Sequence, residues 1–345
     1  MCLSRSTCQL SNGPSSIQIS DSPVKYSGCY DLAVNMGIAV ASVSLCLPFL
    51  LTAQPSREHV ARLNMTQGIP LVQVRINGQG PFSFVVDTGT NCDAIISPRI
   101  AKRLGLPATG HKTITDLGGQ ATHVLDAVEL STLSFAGADF HATQAVVADL
   151  PDGDSVLDGV LGFGLFRNGL LTLDYPRHRL ILDHGSLAGT SDEHVVPMRM
   201  PSGIPLVDIG IADAKIMAGI DSGGLGLSIP ASMIGKVRFN GGVETVAFGR
   251  TQVSSFALRG AVLDGAVELA GFRFEQPWLE INPLFGIANI GSRALCDFVV
   301  TFDQRSKLVR FNSAGKPRRL VKPRNLAISL HLDDLVGTVA VTQEY

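Results

Sequence analysis

Three features of the amino-acid sequence point to an all-β protein of two pseudo-symmetric lobes with a few short helices. Gly is abundant at 36 residues, Pro numbers 18, and the apolar residues come in short bursts separated by turn residues, a pattern of strands rather than long helices. Hydrophobic residues make up 45% and charged residues 17%, too apolar for a disordered chain and too interrupted for a multispanning membrane protein. The third feature is duplication. The 345 residues leave room for two domains, and the body is written twice. PLVQVRINGQGPFSFVVDTGT at 70–90 is answered by PLVDIGIADAKIMAGIDSGG at 205–224. Each copy runs through an alternating strand, a turn and an apolar strand into Asp, a small hydroxyl residue and Gly. Further matches follow in the same order: 95–98 with 227–230, 159–164 with 286–291, and 171–174 with 300–303. Both halves close on a basic turn and an apolar strand, at 177–182 and 305–311. Two copies of about 110 residues with one internal order imply two similar β-rich lobes about an approximate two-fold axis.

Residues 1–56 form a leader. No charge falls between Asp31 and Arg57, and 36–53 is apolar, ending near Pro48 with small residues at Thr52 and Ala53. With Lys25 upstream, this order is that of a signal peptide, and the length also suits a membrane anchor, which needs roughly 18–22 residues. Either implies an exported protein, periplasmic or membrane-anchored. Of the 6 cysteines, Cys2, Cys8, Cys29 and Cys46 lie in the leader. Cys92 and Cys296 lack metal-ligand spacing and read as free thiols, a disulfide being the alternative. The first lobe spans 65–185 and the second 200–312, with 184–200 a candidate linker. Pro98 at a helix start and Gly105 near its end mark a helix over 98–106. Residues 313–345 are a basic linker, read as solvated, and a tail whose apolar alternation could add a strand.

An isolated Asp-Thr-Gly or Asp-Ser-Gly arises by chance in roughly one chain in six of this length. Here Asp87 and Asp221 each end an apolar strand, where a carboxylate is costly unless it is hydrogen bonded or functional. Gly89 and Gly223 permit a tight turn that brings amides toward the carboxylate, and Thr88 and Ser222 offer hydroxyls to the neighbouring lobe. The bland alternative is an Asp that organises a strand-to-turn corner. If the two-fold joins the turns, the carboxylates meet, share one proton and titrate as a unit. One member then takes a proton from water while the other hydrogen bonds the carbonyl under attack, chemistry that suits amide hydrolysis without cofactor or metal.

These residues resemble the aspartic peptidases, and more closely the bacterial retropepsin-like exported proteins. The resemblance rests on FSFVVDTGT at 82–90, ISPRIAKRLGLP at 96–107, the Gly118-Gly119 turn and DGVLGFGLFRNGLLTLDYPRHRLIL at 158–182. It implies acid-protease-like β-barrel lobes, a catalytic role for Asp87 with Asp221 as its partner, and a peptide or protein substrate. It also implies a β-hairpin flap around 113–125 with Gly118 and Gly119 near its tip. The motif that braces the active turn corresponds to Val160-Leu161-Gly162. The second lobe departs from the pattern. Gly224 stands where Thr90 supplies a hydroxyl, and Ile287-Ala288-Asn289 stands for the bracing motif, with Asn289 tolerant of positive φ. These departures raise the rival reading, a catalytically inactive peptide-binding module with the same fold.

Other chemistries lack their anchors: there is no HExxH, GxGxxG after a strand, GxxxxGK[ST] or GxSxG. His111, His123 and His141 fit surface or turn positions better than metal ligands. The 28 basic against 30 acidic residues leave a net charge of -2, so nothing favours nucleic acid as a partner. The expectation is a monomeric aspartic endopeptidase with both carboxylates in one chain, or failing that a dimer in which Asp87 meets its counterpart in another copy.

Overall fold

The computed structural model describes residues 58–66, 68–115, 122–150, 157–189, 194–250, 255–284, 286–323, 328–331 and 340–343. The leader, with its apolar stretch and four cysteines, and the flap residues Gly118 and Gly119 lie outside the described residues. Among the described residues, no helix is long and apolar enough to cross a membrane.

Both lobes belong to one compact unit, Gln54–Tyr345. After β1 (His59–Arg62), the first lobe comprises β2 (Leu71–Ile76), β3 (Gln79–Asp87), β4 (Ala94–Ile96), helix α1 (Pro98–Leu104), β5 (Ala108–Thr115), β6 (Thr122–Phe135), β7 (Ala138–Val147) and β8 (Gly159–Gly162). Its sheet order is β2-β3-β8-β4-β7-β6-β5, and β2 also pairs with β6, so six strands close into a barrel with β5 on its outside. The β2–β3 hairpin turns on Asn77-Gly78 with φ of 50 and 77, the pair that a two-residue turn matched to strand twist requires. Alternation places Phe82, Phe84 and Val86 in the main core while Val85 faces a smaller cluster with Leu71, Ile95 and Val160. Helix α1 forms as its end signals dictate. Ser97 Oγ accepts from the Ile100 amide, Pro98 opens the helix, and Gly105 caps it at φ 61.

The chain then runs through β9 (Leu170–Asp174), β10 (Arg179–Asp183) and β11 (Val195–Pro197) into the second lobe. That lobe holds β12 (Leu206–Ile211), β13 (Ala214–Asp221), β14 (Leu227–Pro230), β15 (Phe239–Arg250), β16 (Ser255–Leu263), β17 (Ala266–Leu269), β18 (Phe272–Glu275), β19 (Trp278–Asn282), β20 (Ala288–Gly291) and helix α2 (Ser292–Leu295). It repeats the first lobe with its long β6–β7 hairpin broken in two: β16 and β17 stand for β6, and β18 and β19 for β7. Ring closure falls to β12 with β17, through Gly210↔Glu268 and Ile211↔Val267.

The third layer joins the lobes. With β21 (Phe298–Asp303) and β22 (Leu308–Ser313), it is a six-stranded sheet of order β1-β10-β9-β21-β22-β11. Its centre is the antiparallel pair β9–β21, in which Thr172 faces Thr301 with their hydroxyls 2.9 Å apart. Those two residues are equivalent in the sequence repeat, so the pseudo-two-fold passes between them. Phe163 packs edge-on against Phe302 across the same boundary, with centroids 5.3 Å apart.

The stretch beyond Ser313 is largely exposed and makes a few contacts with the second lobe. The Leu320 carbonyl accepts from the Trp278 amide, Arg318 pairs with Asp297, and Lys322 pairs with Glu244. The tail adds β23 (Ile328–His331), parallel to β15, and β24 (Ala340–Gln343) beside it.

Candidate active site

Asp87 is the last residue of β3 and Asp221 the last of β13. Each is paired in parallel register with a glycine on the returning strand, Asp87↔Gly162 and Asp221↔Gly291. A Cβ on Gly162 would lie 2.1 Å from the Cys92 carbonyl oxygen, and one on Gly291 would lie 2.6 Å from the Leu225 carbonyl carbon. Only glycine lets the returning strand close beneath the turn. This register corrects the alignment of the second lobe. The counterpart of Val160-Leu161-Gly162 is Asn289-Ile290-Gly291, two residues later than the sequence comparison put it. The bracing glycine is therefore kept, and Asn289, a strand residue outside the positive-φ region, occupies the place of Val160.

The two turns are locked to each other by a reciprocal set of hydrogen bonds. The Thr88 amide donates to Ser222 Oγ at 3.0 Å and the Ser222 amide donates to Thr88 Oγ1 at 3.0 Å. Thr88 Oγ1 donates to the Ile220 carbonyl at 2.7 Å, and Ser222 Oγ donates to the Val86 carbonyl at 2.7 Å. Each hydroxyl thus donates once and accepts once across the axis, so neither is left unsatisfied in a buried site.

Asp87 is 0% and Asp221 5% exposed. Asp87 Oδ1 accepts from the Gly89 amide at 2.7 Å and its Oδ2 from Thr90 Oγ1 at 2.8 Å. In the second lobe Asp221 Oδ1 accepts from the Gly224 amide at 2.8 Å, and its Oδ2 accepts from Asn289 Nδ2, also at 2.8 Å. Gly89 and Gly223 are needed for space across the axis rather than for an unusual turn, since neither has positive φ. A Cβ on Gly89 would lie 2.9 Å from Asp221 Cγ, and one on Gly223 would lie 2.6 Å from Asp87 Cγ. Burial first, then the neighbouring Asp87 charge, push the Asp221 carboxyl well above the usual carboxylate range, while the Asn289 and Gly224 donors pull it down.

A second layer of contacts behind the two turns, some within a lobe and some between lobes, was not legible in the sequence. Ser292 Oγ donates to the Ser222 carbonyl at 2.7 Å, and the Tyr175 hydroxyl lies 3.4 Å from Ser292 Oγ. Symmetrically, Gln304 Nε2 donates to the Phe163 carbonyl at 2.6 Å. Tyr175 follows Asp174 as Gln304 follows Asp303, and that repeat is the only sequence signal they carry. Cys92, beside the first turn, is a free thiol whose pKa burial raises to about 12, and Cys296 is also free. Where the flap is expected, β5 and β6 pair as a hairpin from Thr113↔Val124 to Thr115↔Thr122, with His111 beside Asp126.

Residues 72–165 match the family model described as aspartyl protease. Over that stretch the first lobe is similar to the aspartyl proteases. Among solved structures, a retropepsin-like aspartic protease from Rickettsia conorii is similar at 24% identity, over 37% of this chain and 92% of that one, with a TM-score of 0.29. No curated protein matches the chain.

Proposed function

We propose that the protein is a single-chain aspartic endopeptidase in which Asp87 and Asp221 activate a water molecule for attack on a peptide bond. The observation that carries this reading is the reciprocal Thr88–Ser222 lock, which holds two buried carboxylates from two lobes against one another. Like charges so placed do not both ionise readily, and the pair keeps one proton. One carboxyl of the pair then hydrogen bonds the substrate carbonyl while the other takes a proton from water. Activity should be bell-shaped in pH, since the pair fails when both carboxyls are protonated and when both are ionised. The apolar stretch at 36–53 supports placing this activity outside the cytoplasm, exported or held at a membrane.

The test is cleavage of a mixed peptide library by the purified protein from acidic to neutral pH, beside Asp87→Asn and Asp221→Asn. Each substitution should lower the rate roughly 100-fold or more. Cleavage at the parental rate by either variant would overturn the dyad. No cleavage by any form would favour the peptide-binding module.

A further inference from the structure

We infer that Asn289 and Gly224 form a coupled pair that takes over the part played by Thr90 in the first lobe, with Asn289 orienting Asp221 through its Oδ2. The inference rests on the proposed dyad and deepens it. Asn289 is a positioning residue, because it acts through Asp221.

Each carboxylate receives one donor on Oδ1 and one on Oδ2. For Asp87 the Oδ2 donor is the hydroxyl of Thr90, three residues further along the same turn. For Asp221 the residue at that place is Gly224, which has no side chain, and the donor arrives instead from β20 as Asn289 Nδ2. The two residues exclude one another. A Cβ on Gly224 would lie 2.6 Å from Asp221 Oδ2 and 2.9 Å from Asn289 Nδ2. The amide therefore fills the space that a Thr90-like side chain would need, and the loss of the hydroxyl and the gain of the amide are one change rather than two.

The exchange alters the chemistry. A hydroxyl donates or accepts, so Thr90 can adapt to a proton on Asp87 Oδ2. An amide nitrogen only donates, so Asn289, unlike a hydroxyl, favours the ionised form of the carboxylate it faces. Asp221 Oδ1, which accepts from the Gly224 amide, converges with Asp87 Oδ1 on Gly89: a Cβ there would lie 2.9 Å from the first and 3.1 Å from the second. Asn289 thus holds Asp221 with Oδ1 turned toward the other carboxylate. Around Asp221 the titratable groups are Asp87 at the end of β3 and Tyr175 beyond β9. Behind the second turn, Glu280 on β19 packs against Gly226 and lies 3.7 Å from Arg293 on α2.

The experiment compares the full chain with Asn289→Val, Gly224→Thr and the double variant that rebuilds the first-lobe arrangement. Peptide cleavage is measured across pH. Asn289→Val should lower kcat roughly 10-fold or more and move the alkaline limb upward by about one pH unit, because a donor to the ionised carboxylate is lost. Gly224→Thr alone should be worse, since its side chain collides with the amide. The double variant should exceed both single variants in kcat and return the limb toward its parental position. A residue that only fills space would change kcat or thermal stability without moving the limb. Asn289→Val with parental rate and limb, or a double variant no better than Gly224→Thr, would overturn the inference. A carboxyl-carbon NMR titration of Asp221 in the same four proteins reads the pairing without turnover. If the parent cleaves nothing, an upward midpoint shift in Asn289→Val that the double variant reverses still supports it, and an unmoved midpoint sinks it.

Discussion

Thr88 and Ser222 carry the joint between the lobes on two hydroxyls. Removing the Thr88 hydroxyl strips the Ile220 carbonyl and the Ser222 amide of their partners in a site without water access. A buried group left unsatisfied costs about 1–3 kcal/mol, so Thr88→Val should destabilise the protein by roughly 2–6 kcal/mol in a denaturant titration. Thr88→Ser keeps the hydroxyl and should stay close to the parent. Equal stability of the two variants would show that the lock is not needed. The residues of this lock were legible in sequence because the Asp-hydroxyl-Gly triplet recurs after matching apolar strands. Asn289 was visible as a departure but not as a ligand of Asp221. Its partner is set by the register of β20 against β13, and matching glycines between the halves slid that register by two residues.

Strands β2, β3, β12 and β13 were foreshadowed by alternation, turn residues and apolar runs in the repeat, and helix α1 by Pro98 and Gly105. The broken hairpin of β16 to β19 was not, because the break at Asp264-Gly265 looks like any other turn until β12 is seen to pair with β17. Nor could the sequence tell that the basic stretch after Ser313 contacts the second lobe, since those contacts depend on Asp297 and Glu244, distant in sequence. One consequence of this packing sits on β19. Burial raises the pKa of the Glu280 carboxyl, with Arg293 pulling it partly back. The folded state then holds this proton more tightly than the unfolded chain, where a glutamate ionises near about pH 4.3. Stability from this group is present below that pH and is lost as pH rises through the higher folded value. Glu280→Gln removes the titration. Thermal melts should show the parent losing more stability than the variant from about pH 4 toward neutrality, and identical pH dependence of the two would refute the assignment.

The whole molecule is a duplication held at its axis by groups that are nearly self-complementary, and this yields a prediction about half of it. Three of the contacts the first lobe makes across the axis have a first-lobe equivalent that could replace the second-lobe partner. Thr88 can stand for Ser222, because the four bonds of the lock need only a hydroxyl and a backbone amide from each side. β9 can pair with a second β9 about Thr172, as it now pairs with β21 about Thr301. Tyr175 can donate to the Phe163 carbonyl where Gln304 does now. A fragment of residues 58–189 also exposes the edge of β9, and an uncovered edge strand seeks a partner. That fragment should sediment as a homodimer at micromolar concentrations, and Thr88→Ala within it should return a monomer. A fragment that stays monomeric with its strands intact would mean that the second lobe contributes more than symmetry to the joint. The contact that would then carry the difference is that of the Tyr175 hydroxyl with Ser292 Oγ, where the first lobe has Phe163 in the same place.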